Sequence, residues 1–165
     1  MLKKCLAAWL VFVCALFMAG CAKKDTTVNQ NVRTLVHGFQ QSMVTFFEIK
    51  NLQDSSLLLT QVNDNLKKIE DSKKKLGQVS GLAENISDDK IKAEVQNFIG
   101  LGREREKLAL RYLDDIRRDL DYRIKNPDAQ VNVNAYIVNI PNRLLDLEYQ
   151  SEQSVQRLDK LLSKK

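Results

Sequence analysis

Histidine and cysteine, which often act as nucleophiles, acid–base groups and metal ligands, are scarce in this sequence. Its one histidine, His37, excludes a metal site built from two histidines of one chain, and we expect this side chain at the surface. Asp114 and Asp115 are adjacent in a helical pattern, so their carboxylates point about 100° apart and do not converge. Gly100 and Gly102 lack the third glycine and preceding strand of a phosphate-binding loop. These features predict a protein that is not an enzyme and has neither a cofactor nor a metal site.

The three cysteines all lie within the first 21 residues, in a segment with the pattern of an export signal. Lys3 and Lys4 give it a positive start, and residues 5–18 are almost entirely apolar. A helix that spans a membrane needs about 20 apolar residues, so this shorter run is typical of a signal-peptide core. The sequence at 18–21, Met-Ala-Gly-Cys, resembles the lipobox of bacterial lipoproteins, although Met18 stands where leucine is commonest.

The resemblance covers residues 1–21 and implies that the protein is anchored by a covalent lipid. It implies that the Cys21 thiol receives a diacylglyceryl group, that a signal peptidase cuts between Gly20 and Cys21, and that the new amino group is acylated. Two or three acyl chains make release from a membrane slow. Ala22 stands where an aspartate would retain many lipoproteins in the inner membrane. The default expectation is therefore the periplasmic face of the outer membrane, while Lys23 or Lys24 could alter sorting and a Gram-positive source would give the outer face of its only membrane.

The remaining chain has no thiol chemistry and little net charge. Cys5 and Cys14 leave with the signal, so we expect no disulfide and a fold that depends on packing. Without Lys3 and Lys4, 24 of the 26 basic residues remain against 21 acidic ones. Most of these charges alternate in sign, and a nucleic-acid binder usually shows a clustered basic stripe with aromatic residues. We therefore expect no nucleic-acid partner, while weak attraction to anionic lipid heads or peptidoglycan stays open.

Apolar residues recur at intervals of three and four along four segments, which predicts amphipathic helices. Long periodic runs with two prolines and six glycines favour an all-α protein. The apolar positions are Val28, Val32, Leu35, Phe39, Met43, Phe46 and Ile49; Leu59, Val62, Leu66, Ile69 and Leu76; Ile91, Val95, Phe98, Leu108, Tyr112, Leu113, Ile116, Leu120 and Ile124; and Leu144, Leu147, Val155, Leu158 and Leu161.

Capping and helix-breaking residues set the predicted helix boundaries. Asp54 or Ser55 could cap a second helix, although one long helix over 28–78 stays an alternative. Residues 77–88 predict a loop, and Ser87 or Asp88 would cap the next helix. Pro127 ends that helix near residue 125, and Pro141 fits the first turn of the last one. Gly100 and Gly102 mark either a kink or a close approach of two helices.

We therefore predict an antiparallel helical bundle of four helices, or of three if 28–78 is continuous. The signal peptide spans 1–20, the lipidated cysteine and a tether span 21–27, and the bundle spans 28–165.

Two apolar regions without a clear place in the helical stripes are candidate contact surfaces. Phe47 follows Phe46 and lies on a neighbouring helix face, and valines alternate with asparagines from residue 131. The alternative for the segment from residue 131 is a loop packed across the end of the bundle, and the alternative for Phe47 is a wider core stripe. The candidate contact residues are Phe47, Val131, Val133, Tyr136 and Ile137.

These features favour a membrane-anchored cell-envelope module that binds another envelope or secretion-system protein. The alternative is a ligand-sensing or chaperone-like periplasmic bundle, and the oligomeric state stays open.

Overall fold

The computed structural model describes residues 27–43, 54–128 and 142–163. The predicted all-α fold is confirmed: these ranges contain helices and short turns, and no strand. Helix α1 is helical across residues 27–43, and α2 spans Ser55–Ala83. Helix α3 spans Asp89–Lys125, and α4 spans Asn142–Leu162. Within these ranges no helix has both the length and the apolar character needed to cross a membrane.

The bundle has four helices because α2 begins with a cap of its own. Asp54 has an extended backbone, and its carboxylate accepts hydrogen bonds from the backbone N–H groups of Ser56 at 2.8 Å and Leu57 at 3.2 Å. Such a cap satisfies amide groups that have no partner in the first turn of a helix. Asp88 caps α3 in the same way. The alternative of one helix over 28–78 is therefore not adopted.

Helix α2 is longer than the sequence predicts. It continues through Gly77 and Gly81 to Ala83, so the connection to α3 is much shorter than the predicted loop over 77–88. Each glycine costs a helix about 1 kcal/mol relative to alanine. This cost is outweighed because Val79 and Ala83 extend the buried stripe of the helix by about two turns beyond Leu76.

Neighbouring helices run antiparallel. Between α2 and α3, Ser72 hydrogen-bonds to Glu106 while the later residue Ser80 bonds to the earlier Arg103. Ion pairs join α3 and α4 with the same reversed order: Glu94 to Arg157 and Glu104 to Arg143. On the other side, α1 contacts both α2 and α4, through Lys75 and Asp159.

The three-helix contact at the centre of the core depends on a glycine. The rings of Phe39 and Phe98 meet edge to face, with centroids 5.4 Å apart. A Cβ on Gly102 would lie only 3.0 Å from both Leu76 methyl carbons and 3.1 Å from Phe39 Cζ. Gly102 therefore permits a close approach of helices, while α3 continues through it. A Cβ on Gly100 would meet no atom within 4 Å.

The second half of α3 buries only part of the stripe that the sequence predicts. Leu113, Ile116 and Leu120 are buried as predicted, and the other predicted positions are not. Ala109 and Leu113 are fully buried, whereas Leu108 and Tyr112 are partly buried at the edge of the core. Ile124, which the apolar pattern assigned to the core face, is 42% exposed. After Gly102 the buried positions recur at steps of three and four residues. The core position between Gly102 and Ala109 is therefore occupied by Arg105.

Candidate functional site

An ion pair joins a fully buried arginine of α3 to a partly buried glutamate of α4. The Arg105 side chain is 0% exposed, and its Nη2 lies 3.2 Å from Oε1 of Glu148 on α4. Its Nη1 donates to Oε1 of Gln40 on α1 at 3.4 Å. Three helices thus contribute polar groups to one layer of the core.

Burial dominates the electrostatics of this layer. Burial lowers the pKa of Arg105, and the nearby carboxylates of Glu148 and Glu152 oppose that effect. Burial also raises the pKa of Glu148, which Arg105 lowers and Glu152 raises. Because removing two charges from water is expensive, a buried pair adds little net stability, but breaking it leaves an unpaired buried charge. The polar contacts of Arg105 with Gln40 and Glu148 therefore favour one register of α1, α3 and α4, because another register would leave the buried guanidinium without these partners.

A second buried carboxylate, on Glu106, belongs to a different interface. Glu106 is 6% exposed, and its Oε1 accepts from the Ser72 hydroxyl of α2 at 3.2 Å. Burial raises its pKa, against the opposing effects of Ser72, Lys73 and Arg103. Residues 105 and 106 project about 100° apart on α3. Glu106 therefore faces α2 and Glu148 faces α3 from α4, and these two carboxylates with raised pKa values do not form an acid–base pair.

Other polar clusters also join one helix to another. Arg157 of α4 holds the Glu94 carboxylate of α3 with two hydrogen bonds, each 3.0 Å long, and the Ser154 hydroxyl donates to it at 2.6 Å. Burial alone would raise the pKa of Glu94, but the hydrogen bonds from Arg157, Ser154 and Asn97 together lower it.

The single histidine contributes to one of these helix–helix contacts. His37 Nε2 lies 3.1 Å from both carboxylate oxygens of Asp159, which also pairs with Arg33 at 2.9 Å. The His37 side chain is 45% exposed. This matches the expected surface position and places the imidazole in a contact between α1 and α4.

A groove runs along the outside of the bundle between α2 and α3, and we call it the basic groove. It consists of two adjoining recesses of about 680 and about 570 Å³ that share Leu110. Both recesses are open to solvent. The basic side chains that line them are Lys67, Lys73, Arg103, Lys107, Arg111 and Arg117, and the acidic ones are Glu70, Glu106 and Asp114.

A less charged groove of about 570 Å³ lies between α1 and α2. Leu35 and Leu82 form its apolar part, and Gly81 leaves room because a Cβ there would meet no atom within 4 Å. Asn31, Thr34 and Gln78 complete its lining. None of these lining residues carries a charge, so the groove suits a neutral or apolar group.

The residues that the sequence singled out lie outside the part of the chain that the structure describes. They are Gly20, Cys21, Phe47, Val131, Val133, Tyr136 and Ile137. Conversely, the sequence analysis missed Arg105, and only its position in the helical stripe could have indicated that it is buried. Phe98, Gly102 and Ala109 are spaced so that residue 105 must also face the core.

Comparisons of the chain with models of protein families, with curated proteins and with solved structures found no match.

Proposed function

We propose that this chain is a lipid-anchored protein of the bacterial cell envelope whose helical bundle binds another envelope protein and catalyses no reaction. The observation that carries the proposal is the sequence at 18–21, Met-Ala-Gly-Cys, which follows a short apolar run and two lysines. In bacterial lipoproteins, this pattern directs lipid to the cysteine, here Cys21. The Ala22 that follows supports the periplasmic face of the outer membrane as the location.

The polar groups of the bundle support a binding role over catalysis. Arg105 pairs with Glu148, Glu94 with Arg157, and Glu106 with Ser72, each across a helix interface. Groups engaged in this way stabilise a specific arrangement of helices. A rigid bundle of this kind presents long helix faces to a partner, and helical lipoproteins with adaptor roles supply the class-level analogy.

The proposal is tested by crosslinking the full-length chain in its native host and identifying the proteins captured. The matched control is Cys21→Ser, which removes the lipid attachment atom and leaves the bundle sequence unchanged. We expect the wild-type chain in the membrane fraction with one recurrent envelope protein, and both results lost for Cys21→Ser. A wild-type chain that fractionates away from membranes would contradict the anchoring, and a membrane-bound chain with no partner would contradict the adaptor role.

A ligand-sensing or chaperone-like bundle is the second candidate, and the uncharged groove between α1 and α2 favours it. A ligand that binds only the folded chain raises its melting temperature. If this candidate holds, at least one compound in a panel of apolar and amphipathic small molecules would raise the melting temperature of the wild-type chain. A bulky substitution in this groove, Gly81→Leu, would abolish the rise. An unchanged melting temperature across the panel would count against this candidate.

A further inference from the structure

We propose that the basic groove between α2 and α3 binds an acidic amphipathic helix of a partner protein. This inference rests on the proposed protein-binding function and names the chemistry of the partner.

Unbalanced positive charge in the groove is the first argument. Six basic and three acidic side chains line it, and one of the acids, Glu106, is almost fully buried. Asp114 and Arg117 pair with each other at 2.5 Å, and Lys67 pairs with Asp64 at 3.7 Å, so these two cations are matched within the chain. Among the described residues, Lys73, Lys107 and Arg111 make no ion pair with a carboxylate. The groove therefore has an excess of positive charge, whereas basic and acidic residues nearly balance in the rest of the chain.

The contrast with the other arginines strengthens this argument. Arg33, Arg118, Arg143 and Arg157 each pair with a carboxylate, and so does the buried Arg105. Among the described surface arginines outside the groove, four of five are thus matched by an acid, and Arg123 is the exception. Inside the groove Arg117 is matched by Asp114, whereas Arg103 and Arg111 make no ion pair with a described carboxylate. In the groove, Arg103 donates only to the Ser80 hydroxyl, at 3.4 Å, among the residues that the structure describes. Carboxylates from another molecule would complete the pattern.

The shape and the floor of the groove fit a helix. The lining runs from Asn63 to Gly77 on α2 and from Arg103 to Arg117 on α3. At 1.5 Å per residue, each stretch is about 20 Å long, which corresponds to about four turns of a third helix. Leu66 and Leu110, which are partly exposed, lie in the lining between the cationic side chains, and Leu76, which is 3% exposed, lies beneath them as part of the core. An amphipathic helix would place its apolar face on Leu66 and Leu110, as in other helix-in-groove complexes.

The same observations favour a helix over a membrane surface. A bilayer presents a broad flat layer of headgroups, whereas the apolar leucines of this groove lie between two rows of cations. A helix with an apolar stripe and glutamates on both flanks matches that cross-section. Electrostatic matching of this kind raises the association rate and selects against basic partners.

The test measures binding of a defined probe to the full-length lipidated chain, reconstituted in vesicles of phosphatidylcholine. The probe is a fluorescent, hydrocarbon-stapled peptide of about four turns, with one leucine stripe flanked by glutamates. A second peptide of the same composition has its leucines and glutamates permuted so that neither forms a stripe. The groove variant is Lys107→Glu with Arg111→Glu. The matched control is Lys90→Glu with Lys125→Glu, which makes the same charge change at two exposed positions of α3 outside the groove.

We expect the striped peptide to bind and the permuted peptide to bind at least about tenfold more weakly. The groove variant should weaken binding of the striped peptide about tenfold or more, and the control variant less than about twofold. Equal weakening by both variants would overturn the proposal, because it would show unspecific attraction to a basic protein. No binding of the striped peptide would also overturn it. Displacement of the peptide when phosphatidylglycerol is added to the vesicles would assign the groove to anionic lipid instead.

These results are distinguishable from failure of the proposed function. If Cys21 carries lipid and a partner crosslinks to another face of the bundle, the adaptor function stands and the basic groove is not its binding site.

Discussion

The packing around Gly102 gives a sharp prediction, because Gly100 on the same helix provides a matched control. Both residues lie inside α3, so replacing either with alanine removes the same helix penalty of about 1 kcal/mol. A Cβ on Gly100 meets no atom within 4 Å. We therefore expect Gly100→Ala to raise the free energy of unfolding by up to about 1 kcal/mol.

Gly102→Ala adds a steric term to the same gain. Its Cβ would lie 3.0 Å from the Leu76 methyl carbons and 3.1 Å from Phe39 Cζ. Both neighbours are side-chain ends, but Leu76 is 3% and Phe39 0% exposed, so neither can move into solvent. Overpacking of a core typically costs about 1–3 kcal/mol. We therefore expect Gly102→Ala to be less stable than Gly100→Ala by about that amount.

The assay is urea unfolding of the two variants and the wild-type chain, followed by circular dichroism. If the slope of the free energy of unfolding against urea concentration is unchanged, the difference between the variants is a difference in stability and not in the compactness of the unfolded chain. In a thermal melt, 1 kcal/mol corresponds to about 2–4 °C for a domain of this size. If Gly102→Ala stabilises the chain as much as Gly100→Ala does, the close approach of α1, α2 and α3 at Gly102 is refuted.

Three further predictions concern the buried polar groups and the helix caps. Arg105→Ala should lower the free energy of unfolding by about 1–3 kcal/mol, because it leaves the partly buried Glu148 carboxylate without its partner. Replacing both partners, by Arg105→Met with Glu148→Leu, should restore most of that loss in the same urea assay, and an equally unstable double variant would contradict the pairing. Burial raises the pKa of Glu106 in the folded chain, so the native state binds more protons than the unfolded state between the ordinary value of 4.5 and the raised one. The stability that the protonated Glu106 contributes to the folded chain is therefore fully present below pH 4.5 and is lost as the pH rises through the raised pKa. Glu106→Gln should accordingly stabilise the chain at neutral pH and have no such effect at low pH, and a benefit independent of pH would contradict this assignment. Asp54→Ala and Asp88→Ala should each lower stability by about 1 kcal/mol through loss of a cap, whereas the exposed Asp64→Ala should change it by less than about 0.5 kcal/mol in urea unfolding.

The fold class follows from the sequence because apolar spacing reports directly which helix face is buried. Val32, Phe39 and Met43 on α1, and Leu144, Leu147 and Leu158 on α4, are buried as their spacing predicts. The caps at Asp54 and Asp88 are also local signals, since a carboxylate hydrogen-bonds to amides only two and three residues ahead. Local chemistry therefore accounts for where α2 and α3 begin, although the sequence alone left three and four helices as alternatives.

The errors have a tertiary cause. Gly77 and Gly81 look like helix breakers in isolation, but contacts of Val79 and Ala83 with the rest of the core keep that turn helical. Leu108 and Tyr112 look like core residues by hydropathy, yet the central core position on that stretch belongs to Arg105. Hydropathy assigns arginine to the surface, so the sequence alone does not reveal a charge that is paired across helices.

The candidate binding surface was less accessible to sequence analysis than the fold. The basic groove combines Lys67 and Lys73 of α2 with Lys107 and Arg111 of α3, and these residues become neighbours only when the two helices pack antiparallel. Along the sequence the same cations alternate with acids, which is the pattern of an ordinary solvated surface. Which lysines and arginines form an ion pair with a carboxylate, and which do not, becomes visible only in the folded chain.

Anchoring through Cys21 is the central claim, and mass spectrometry of the N-terminus tests it most directly. The chain would be isolated from the membranes of its native host, and its N-terminal peptide would be fragmented with its lipid intact. The account predicts a chain that begins at Cys21, with a diacylglyceryl group on the sulfur and an acyl group on the nitrogen. An N-terminus at any other residue, or a Cys21 with a free thiol, would contradict it.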